Sequence, residues 1–156
     1  EGDCESALQL ARDSLAYCHL LHDSVALAKA TTVLAAAGLQ CGDFAEAERC
    51  VLAAGQYFTH GRYLRPELVD CVYVAARLAA AQQRYPRAAA LFGLARRLRR
   101  ELQHRLDAPL RPQVAAALAA VRCAMSLPAF GEAFHSGEQL PVQEAYKELI
   151  KTTHGC

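Results

Sequence analysis

The sequence predicts an all-α protein made of antiparallel helical hairpins, and three observations lead to that prediction. Alanine, the residue with the highest helix propensity, occurs in dense runs such as residues 33–38 and 75–81. Apolar residues recur at spacings of three and four, which is the period of one face of an α-helix. The six residues GDCESA at 2–7 also return, forty positions later, as GDFAEA at 42–47. A short segment that recurs at this interval indicates a repeated unit.

The repeat extends on both sides of the recurring segment. Forty-one positions after the second copy, residues 83–88 read QRYPRA and keep the aromatic and the final alanine. Upstream, residues 29–41 match residues 70–82, and both stretches have small residues in the middle of a helical pattern. Each unit is therefore predicted to be a first helix, a tight turn and a second helix.

The residues at the predicted turns suit that geometry. Gly42 is expected to take the left-handed conformation that ends a helix, and Asp43 to accept hydrogen bonds from the free amides of the next helix. In the following unit Pro86 suits a first helical turn, where its missing N–H has no partner in any case. Residues 17–23 and 58–66 are interpreted as the loops between units.

These units resemble the tetratricopeptide repeat. The GDFAEA turn, Ala35, Ala47 and Ala54 fall on the small-residue positions of that motif. The period exceeds the usual 34 residues or so, which implies an extended loop between repeats. Thr31 and Val72 stand where the motif has a large aromatic, and its terminal proline is missing. The resemblance implies a right-handed solenoid of stacked hairpins.

The same reasoning predicts one domain over residues 1–156. Because one repeat cannot bury its apolar face alone, a chain that opens at a repeat's turn is expected to be a piece of a larger protein. The predicted segments are the second helix of a truncated repeat, two full repeats and a set of C-terminal capping helices: 1–22, 23–60, 65–106 and 110–156. Within the last segment, residues 110–125 and 141–153 are predicted amphipathic helices. Pro128 and Pro141 suit helix starts, with 135–140 as the turn between them.

The C-terminal half resembles the end of the sensor arm of large bacterial signal-transduction ATPases, including MalT-like transcription factors. That resemblance implies a helical arm attached to an ATPase domain, and usually to a DNA-binding domain. No phosphate-binding loop and no helix-turn-helix segment is recognisable here. The matching positions are Leu91, Phe92, Gly93, Ala108, Pro109, Ala129, Phe130, Ala133, Gly137, Leu140, Glu144 and Ala145.

Composition and charge exclude several classes of function. The hydrophobic fraction of 53% supplies a core, and a formal charge of +1 gives no general attraction to nucleic acid or membranes. No uninterrupted apolar run reaches the length of a membrane span, and no signal peptide is visible. The seven cysteines are odd in number and form no CxxC pair, which predicts free thiols in a reducing cytoplasm.

A concave groove is the predicted binding surface. In repeats of this kind the first helices line the groove, and a tyrosine among charged and small residues suits a peptide or a small polar effector. The alternative is that these are ordinary solvated positions. By alignment with the repeat motif, the groove residues are Lys29, Thr32, Gln40, Asp70, Tyr73 and Arg77, with Ala36 between them.

Two further clusters carry weaker hypotheses. Residues 18–23 contain Cys18, His19, His22 and Asp23, which are potential metal ligands, but no second ligand pair supports them and a loop with exposed histidines is the preferred interpretation. Residues 96–102 concentrate arginines on one helix, and such guanidinium groups can bind phosphate. No aromatics are interleaved with them, so a solvated helix face is preferred. The basic residues are Arg96, Arg97 and Arg100, with Arg99.

The function predicted from the sequence is therefore non-catalytic binding. The chain is expected to be the sensor or scaffold arm of a multidomain bacterial transcriptional regulator or signalling ATPase, binding a protein, a peptide or a small effector in its groove. We expect no enzyme activity, cofactor, metal, membrane or nucleic-acid partner. Two alternatives stay open: a free-standing tetratricopeptide adaptor, and a nucleic-acid-binding module that uses the Arg96–Arg100 helix.

Overall fold

The computed structural model describes residues 2–59, 66–141 and 144, and within these ranges all regular structure is α-helical. This confirms the predicted all-α class. The described residues divide into two compact units, unit 1 (2–59) and unit 2 (66–141 with 144). The helices are α1 (Gly2–Leu21), α2 (Ser24–Cys41), α3 (Phe44–Thr59), α4 (Glu67–Ala81), α5 (Tyr85–Glu101), α6 (Leu110–Ala124) and α7 (Leu127–Gln139).

In unit 1, α2 packs between α1 and α3. The loop predicted at 17–23 is wrong for most of its length, because α1 continues to Leu21 through a stretch without glycine or proline. His22 then turns the chain with a φ of 51°. Asp23 caps α2 by accepting hydrogen bonds from the first free amides of that helix, at 2.9 and 3.2 Å.

The turn between α2 and α3 forms as its two residues predict. Gly42 has a φ of 79° and ends α2 in the left-handed conformation. The Asp43 carboxylate accepts a hydrogen bond of 3.0 Å from the amide of Glu46, which satisfies a free donor at the start of α3. The amide of Asp43 donates to the carbonyl of Gly38 at 2.8 Å. Two residues thus reverse the chain, and the helices form a hairpin.

The core of unit 1 combines buried apolar residues of α2, such as Leu34 and Leu39, with one face of α3. The α3 members recur every three or four residues and are nearly inaccessible to solvent, as a helix packed on its neighbours requires. They are Ala47, Cys50, Val51, Ala54 and Phe58, each between 0 and 4% exposed.

In unit 2, α4 and α5 form a second hairpin whose turn has different chemistry. Gln83 takes the left-handed conformation with a φ of 60°, where the first hairpin uses glycine. Arg84 precedes α5 without a side-chain cap, and Pro86 lies in the first turn, as predicted. Helix α4 is buried around its whole circumference from residue 68 to 79 except at Asp70, so it is the core helix of this unit.

Helices α6 and α7 complete the described part of unit 2. Pro128 lies in the first turn of α7, and the Ser126 hydroxyl accepts a hydrogen bond of 3.4 Å from the amide of Ala129. The turn predicted at 135–140 is wrong, because α7 continues to Gln139. The last predicted helix, 141–153, lies almost wholly outside the described residues.

Glycines bring α5 and α7 into backbone contact. A Cβ atom added at Gly93 would fall on the carbonyl of Phe134, and one added at Gly137 would fall on the carbonyl of Ala90. Small residues at a crossing let helices approach closely, and here the backbones themselves are the contact surface. This packing gives a physical reason for two of the glycines that carry the family resemblance.

Candidate binding site

Helix α4 presents half of the predicted groove residues on one face. Glu67 and Asp70 lie in its first turn, where carboxylates interact favourably with the positive end of the helix dipole. Asp70, Tyr73 and Arg77 are spaced by three and four residues and therefore share one face of the helix. The tyrosine is 6% exposed and the arginine 8%, so both are buried rather than solvated.

The guanidinium of Arg77 is the least satisfied polar group on that face. Its Nη1 atom is buried and has no hydrogen-bond partner among the residues that the structure describes. Burial lowers the pKa of Arg77 from its ordinary value, because an apolar surrounding disfavours the charged form. A buried charge without a partner is costly, and an anion that accepted its hydrogen bonds would remove much of that cost.

Tyr73 lies one helical turn from Arg77. Its ring packs against Phe92 of α5, with 6.4 Å between the ring centroids. Burial raises the pKa of the Tyr73 phenol, while the nearby cations Arg99 and Arg96 act in the opposite direction. The hydroxyl therefore keeps its proton at neutral pH and remains a hydrogen-bond donor.

Asp70 already has partners inside unit 2. His104, in the segment after α5, places its Nε2 atom 3.0 Å from the Asp70 carboxylate. Both side chains are 17% exposed, and the contact ties the start of α4 to the chain that leaves α5. We therefore assign Asp70 a positioning role at the edge of the face.

The other predicted groove residues lie on α2 in unit 1, and they differ in exposure. Lys29 and Gln40 are exposed. Thr32 is 6% exposed, and its hydroxyl donates to the carbonyl of Ala28 at 2.8 Å. A helical threonine satisfied in this way has no donor left for a ligand. Of the α2 set, Lys29 and Gln40 keep polar groups that a ligand can reach.

The basic helix is paired with carboxylates inside unit 2. Arg96 donates to Glu138 of α7 at 2.7–2.8 Å, and Arg100 lies 3.3 Å from the same carboxylate. Arg97 lies 3.5 Å from Glu101 one turn along its own helix. Arg96 and Arg100 are exposed, as the predicted solvated face requires, and both also contact the Glu138 carboxylate of α7. That pairing reduces the positive charge that the helix offers to a phosphate backbone.

Aromatic rings complete the contact between α5 and α7. The Arg96 guanidinium lies 4.5 Å from the centroid of Phe134, and Arg122 of α6 lies 5.2 Å from that of Phe130. Sequence reasoning missed the role of Glu138, because its partners are about forty residues away and no local pattern connects them.

The potential metal ligands do not gather into a site. Among the described residues no group of three histidine, cysteine or acidic side chains could hold a metal ion. Asp23 caps α2 with its carboxylate, and His19 and His22 are exposed near the end of α1. His154 and Cys156, two further potential ligands that the sequence places near its end, lie outside the described residues.

One helix passes a length and composition test for a membrane span. Helix α2 has a mean hydropathy of 1.3 over 18 residues, with 44% of that window buried. A core helix of a globular unit passes the same test, and α2 packs against both α1 and α3. Its apolar composition therefore has an explanation inside unit 1.

The chain was compared with protein-family models, curated proteins and solved structures, and nothing in any of the three sets matches it.

Proposed function

We propose that this chain is a non-catalytic helical-repeat module that binds a protein, a peptide or a small effector through an anionic group. The proposal rests on Arg77 of α4, which is 8% exposed. One nitrogen of its guanidinium is buried and has no hydrogen-bond partner among the described residues. Natural proteins seldom keep such a group unless a ligand or another role requires it. A carboxylate is the favoured anion, since its two oxygens match the fork of an arginine.

The surroundings of Arg77 support an anion over a cation. Tyr73 adds a protonated hydroxyl on the same face, and the cations Arg99 and Arg96 lie near it together with one anion, Asp70. The groove predicted from the repeat alignment contains both Tyr73 and Arg77. We place the ligand contact on these two side chains.

The biological setting follows from the resemblance to sensor arms. As part of a cytoplasmic bacterial regulator, a stacked array of such hairpins would bind its effector and shift the attached ATPase module between resting and assembled states. A free-standing adaptor would use the same face to hold a peptide. The nucleic-acid alternative is the weaker one, because Arg96, Arg97 and Arg100 already lie beside carboxylates.

The test is a pair of methionine substitutions, with sodium acetate and inorganic phosphate as probes. Arg77→Met keeps a similar volume and removes the unpaired charge, so the unliganded protein should become more stable by about 1 kcal/mol or more. The side-chain N–H resonance of Arg77 should shift saturably with acetate in the unmodified protein.

The matched control is Arg122→Met, which removes an exposed arginine and should leave the Arg77 response unchanged. A loss of stability in Arg77→Met would mean that the guanidinium is satisfied within the fold. An Arg77 resonance that ignores both probes would also contradict the proposal. Either outcome would return the search for the site to α2.

A further inference from the structure

Helix α1 carries a mainly apolar stripe that the described structure leaves open to solvent. Leu10 and Tyr17 are each 70% exposed and Leu21 is 74% exposed. Ala7 and Ser14 are also exposed, and they fill the intervening turns. These five residues, hereafter the α1 stripe, follow the spacing 7, 10, 14, 17, 21, which is one face of a helix. Large apolar side chains aligned in this way mark an interaction surface.

The repeat identifies what normally covers such a stripe. With the offset of forty residues, Ala7, Leu10 and Ser14 correspond to Ala47, Cys50 and Ala54 of α3. Those three α3 residues are 0, 2 and 0% exposed. They are buried in unit 1, where α2 is the preceding helix and the packing partner of α3. The same face is therefore covered in one copy of the repeat and uncovered in the other.

The contact that α1 makes with α2 uses different positions. Ala11 is 6% exposed, and the Cys41 thiol of α2 lies 3.7 Å from the carbonyl of Cys4. Helix α2 therefore packs beside α1 without covering the α1 stripe. A second helix is needed to cover it.

The turn residues set the direction of that missing helix. Gly2 and Asp3 are the first two residues of α1, and by the offset of forty they correspond to Gly42 and Asp43, which form the turn between α2 and α3. In a chain that continues before residue 2 they would form the same turn. A helix that entered this turn would run antiparallel to α1, as α2 does to α3. Helix α2 also indicates the composition of this helix. In α2, Gly38 lies close to Ala47 of α3, and a Cβ added at Gly38 would lie 3.3 Å from the Ala47 amide nitrogen. Small residues in the covering helix make this approach possible.

We infer that the α1 stripe is the docking surface for an α2-like helix of the same polypeptide, which lies directly before residue 2 and runs antiparallel to α1. A second copy of the chain is the poorer occupant. A twenty-residue helix presents a strip of about 30 by 10 Å, roughly 300 Å² a side, whereas stable interfaces between separate proteins bury about 800 Å² a side. A helix in the same chain needs less area, because its effective concentration is high. This inference does not depend on the function proposed for Arg77.

The first experiment supplies the missing helix from the chain itself. Residues 23–41 are duplicated in front of Gly2, which recreates the α2-turn-α3 sequence around α1. The extended protein should show slower amide exchange in α1, by about tenfold or more, and reduced binding of the dye anilinonaphthalene sulfonate. Its thermal midpoint should rise by several degrees.

The matched control carries the same extension with glutamate at the duplicated positions of Leu27 and Leu34. It should leave exchange in α1 and dye binding as they are in the unextended chain. Equal effects from both extensions, or no effect from either, would overturn the inference.

Two further measurements distinguish a helix of the same polypeptide from a second copy of the chain as the occupant of the α1 stripe. Sedimentation of the unextended chain should show a monomer, and a dimer abolished by Leu10→Glu with Tyr17→Glu would assign the α1 stripe to a second copy instead. Mass spectrometry of the natural polypeptide, isolated with an antibody to this chain, should find an amphipathic helical sequence before residue 2. A natural polypeptide of 16.9 kDa, or one with a non-helical sequence there, would also overturn the inference.

Discussion

The two hairpins, α2–α3 and α4–α5, reverse the chain through turns of different sequence and conformation. The first reverses through Gly42, which tolerates its positive φ, and Asp43, which caps α3. The second reverses through Gln83, whose φ of 60° is unfavourable for a residue that has a side chain. Helix α5 then begins without a side-chain cap. Local chemistry therefore determines the first turn, and packing maintains the second.

The difference in packing explains how the second hairpin tolerates its turn. Helix α4 is buried around its circumference, and α5 is covered on its outer side by α7. Interactions far away in sequence can outweigh an unfavourable local conformation when they are this extensive. A repeated sequence pattern can therefore keep its hairpin without the turn residues of the first copy.

The largest expected effect is at the glycine contact that closes unit 2. Gly137→Ala would place a Cβ on the Ala90 carbonyl, and Gly93→Ala would do the same at the Phe134 carbonyl. Since backbone atoms cannot rotate away, each substitution should force α5 and α7 apart and lower the free energy of unfolding by about 3 kcal/mol or more. Chemical denaturation monitored by circular dichroism measures this.

Gly131→Ala is the matched control, because the added Cβ meets no atom within 4 Å. In a helix interior this substitution should increase stability by roughly 0.5–1 kcal/mol. If all three variants behaved alike, close packing would not be the reason for the glycines at 93 and 137.

The next prediction concerns the pH dependence of stability, in which the two hairpins differ. Burial raises the pKa of the Cys50 thiol to about 11, whereas the equivalent position of the second hairpin is Leu91, which does not titrate. The folded state holds the thiol proton more tightly than the unfolded state does. Its stabilising contribution is therefore complete below the unfolded pKa and falls by about 2 kcal/mol from pH 9 to 11.

The measurement is urea denaturation at several pH values for the unmodified protein and for Cys50→Ala. The difference between their free energies of unfolding should shrink as pH rises over this window. Cys123→Ser removes an exposed thiol and should keep the pH dependence of the unmodified protein. A Cys50→Ala variant with that same dependence would contradict the prediction.

The smallest effects test the turns directly. Gly42→Ala must adopt a φ of 79° and should lose about 1 kcal/mol, and Asp43→Ala should lose a similar amount with the cap. Gln83→Gly should instead gain about 1 kcal/mol, because glycine tolerates the left-handed region. Thermal denaturation of the three variants provides the comparison. A loss of stability in Gln83→Gly would show that its side chain contributes more than its backbone conformation costs.

Local signals in the sequence predicted the parts of the fold that depend on neighbouring residues. The helical class, the Gly42–Asp43 turn and the first turn of α5 at Pro86 are confirmed, because capping and turn geometry depend on a few adjacent residues. The ends of α1 and α7 were predicted too early. The turn predicted at 135–140 lies inside α7, where Gly137 is needed for the contact with α5.

The features of the candidate site that depend on burial could not be predicted from the sequence. The repeat alignment selected Tyr73 and Arg77, but their exposures of 6% and 8% come from helices packed around α4. The pairing of Arg96 with Glu138 likewise joins residues 42 positions apart. No periodicity within a single helix contains that information.

The contact between α5 and α7 also has a consequence for the order of folding. Each hairpin closes over a turn of two or three residues, so its helices can meet early. The backbones of α5 and α7 can meet at Gly93 and Gly137 only after the intervening segment, which includes the whole of α6, has folded back. Closing this longer loop costs more conformational entropy than closing either hairpin. We therefore expect docking of α7 to be a late step in the folding of unit 2, following a framework that α4 and α5 have already formed.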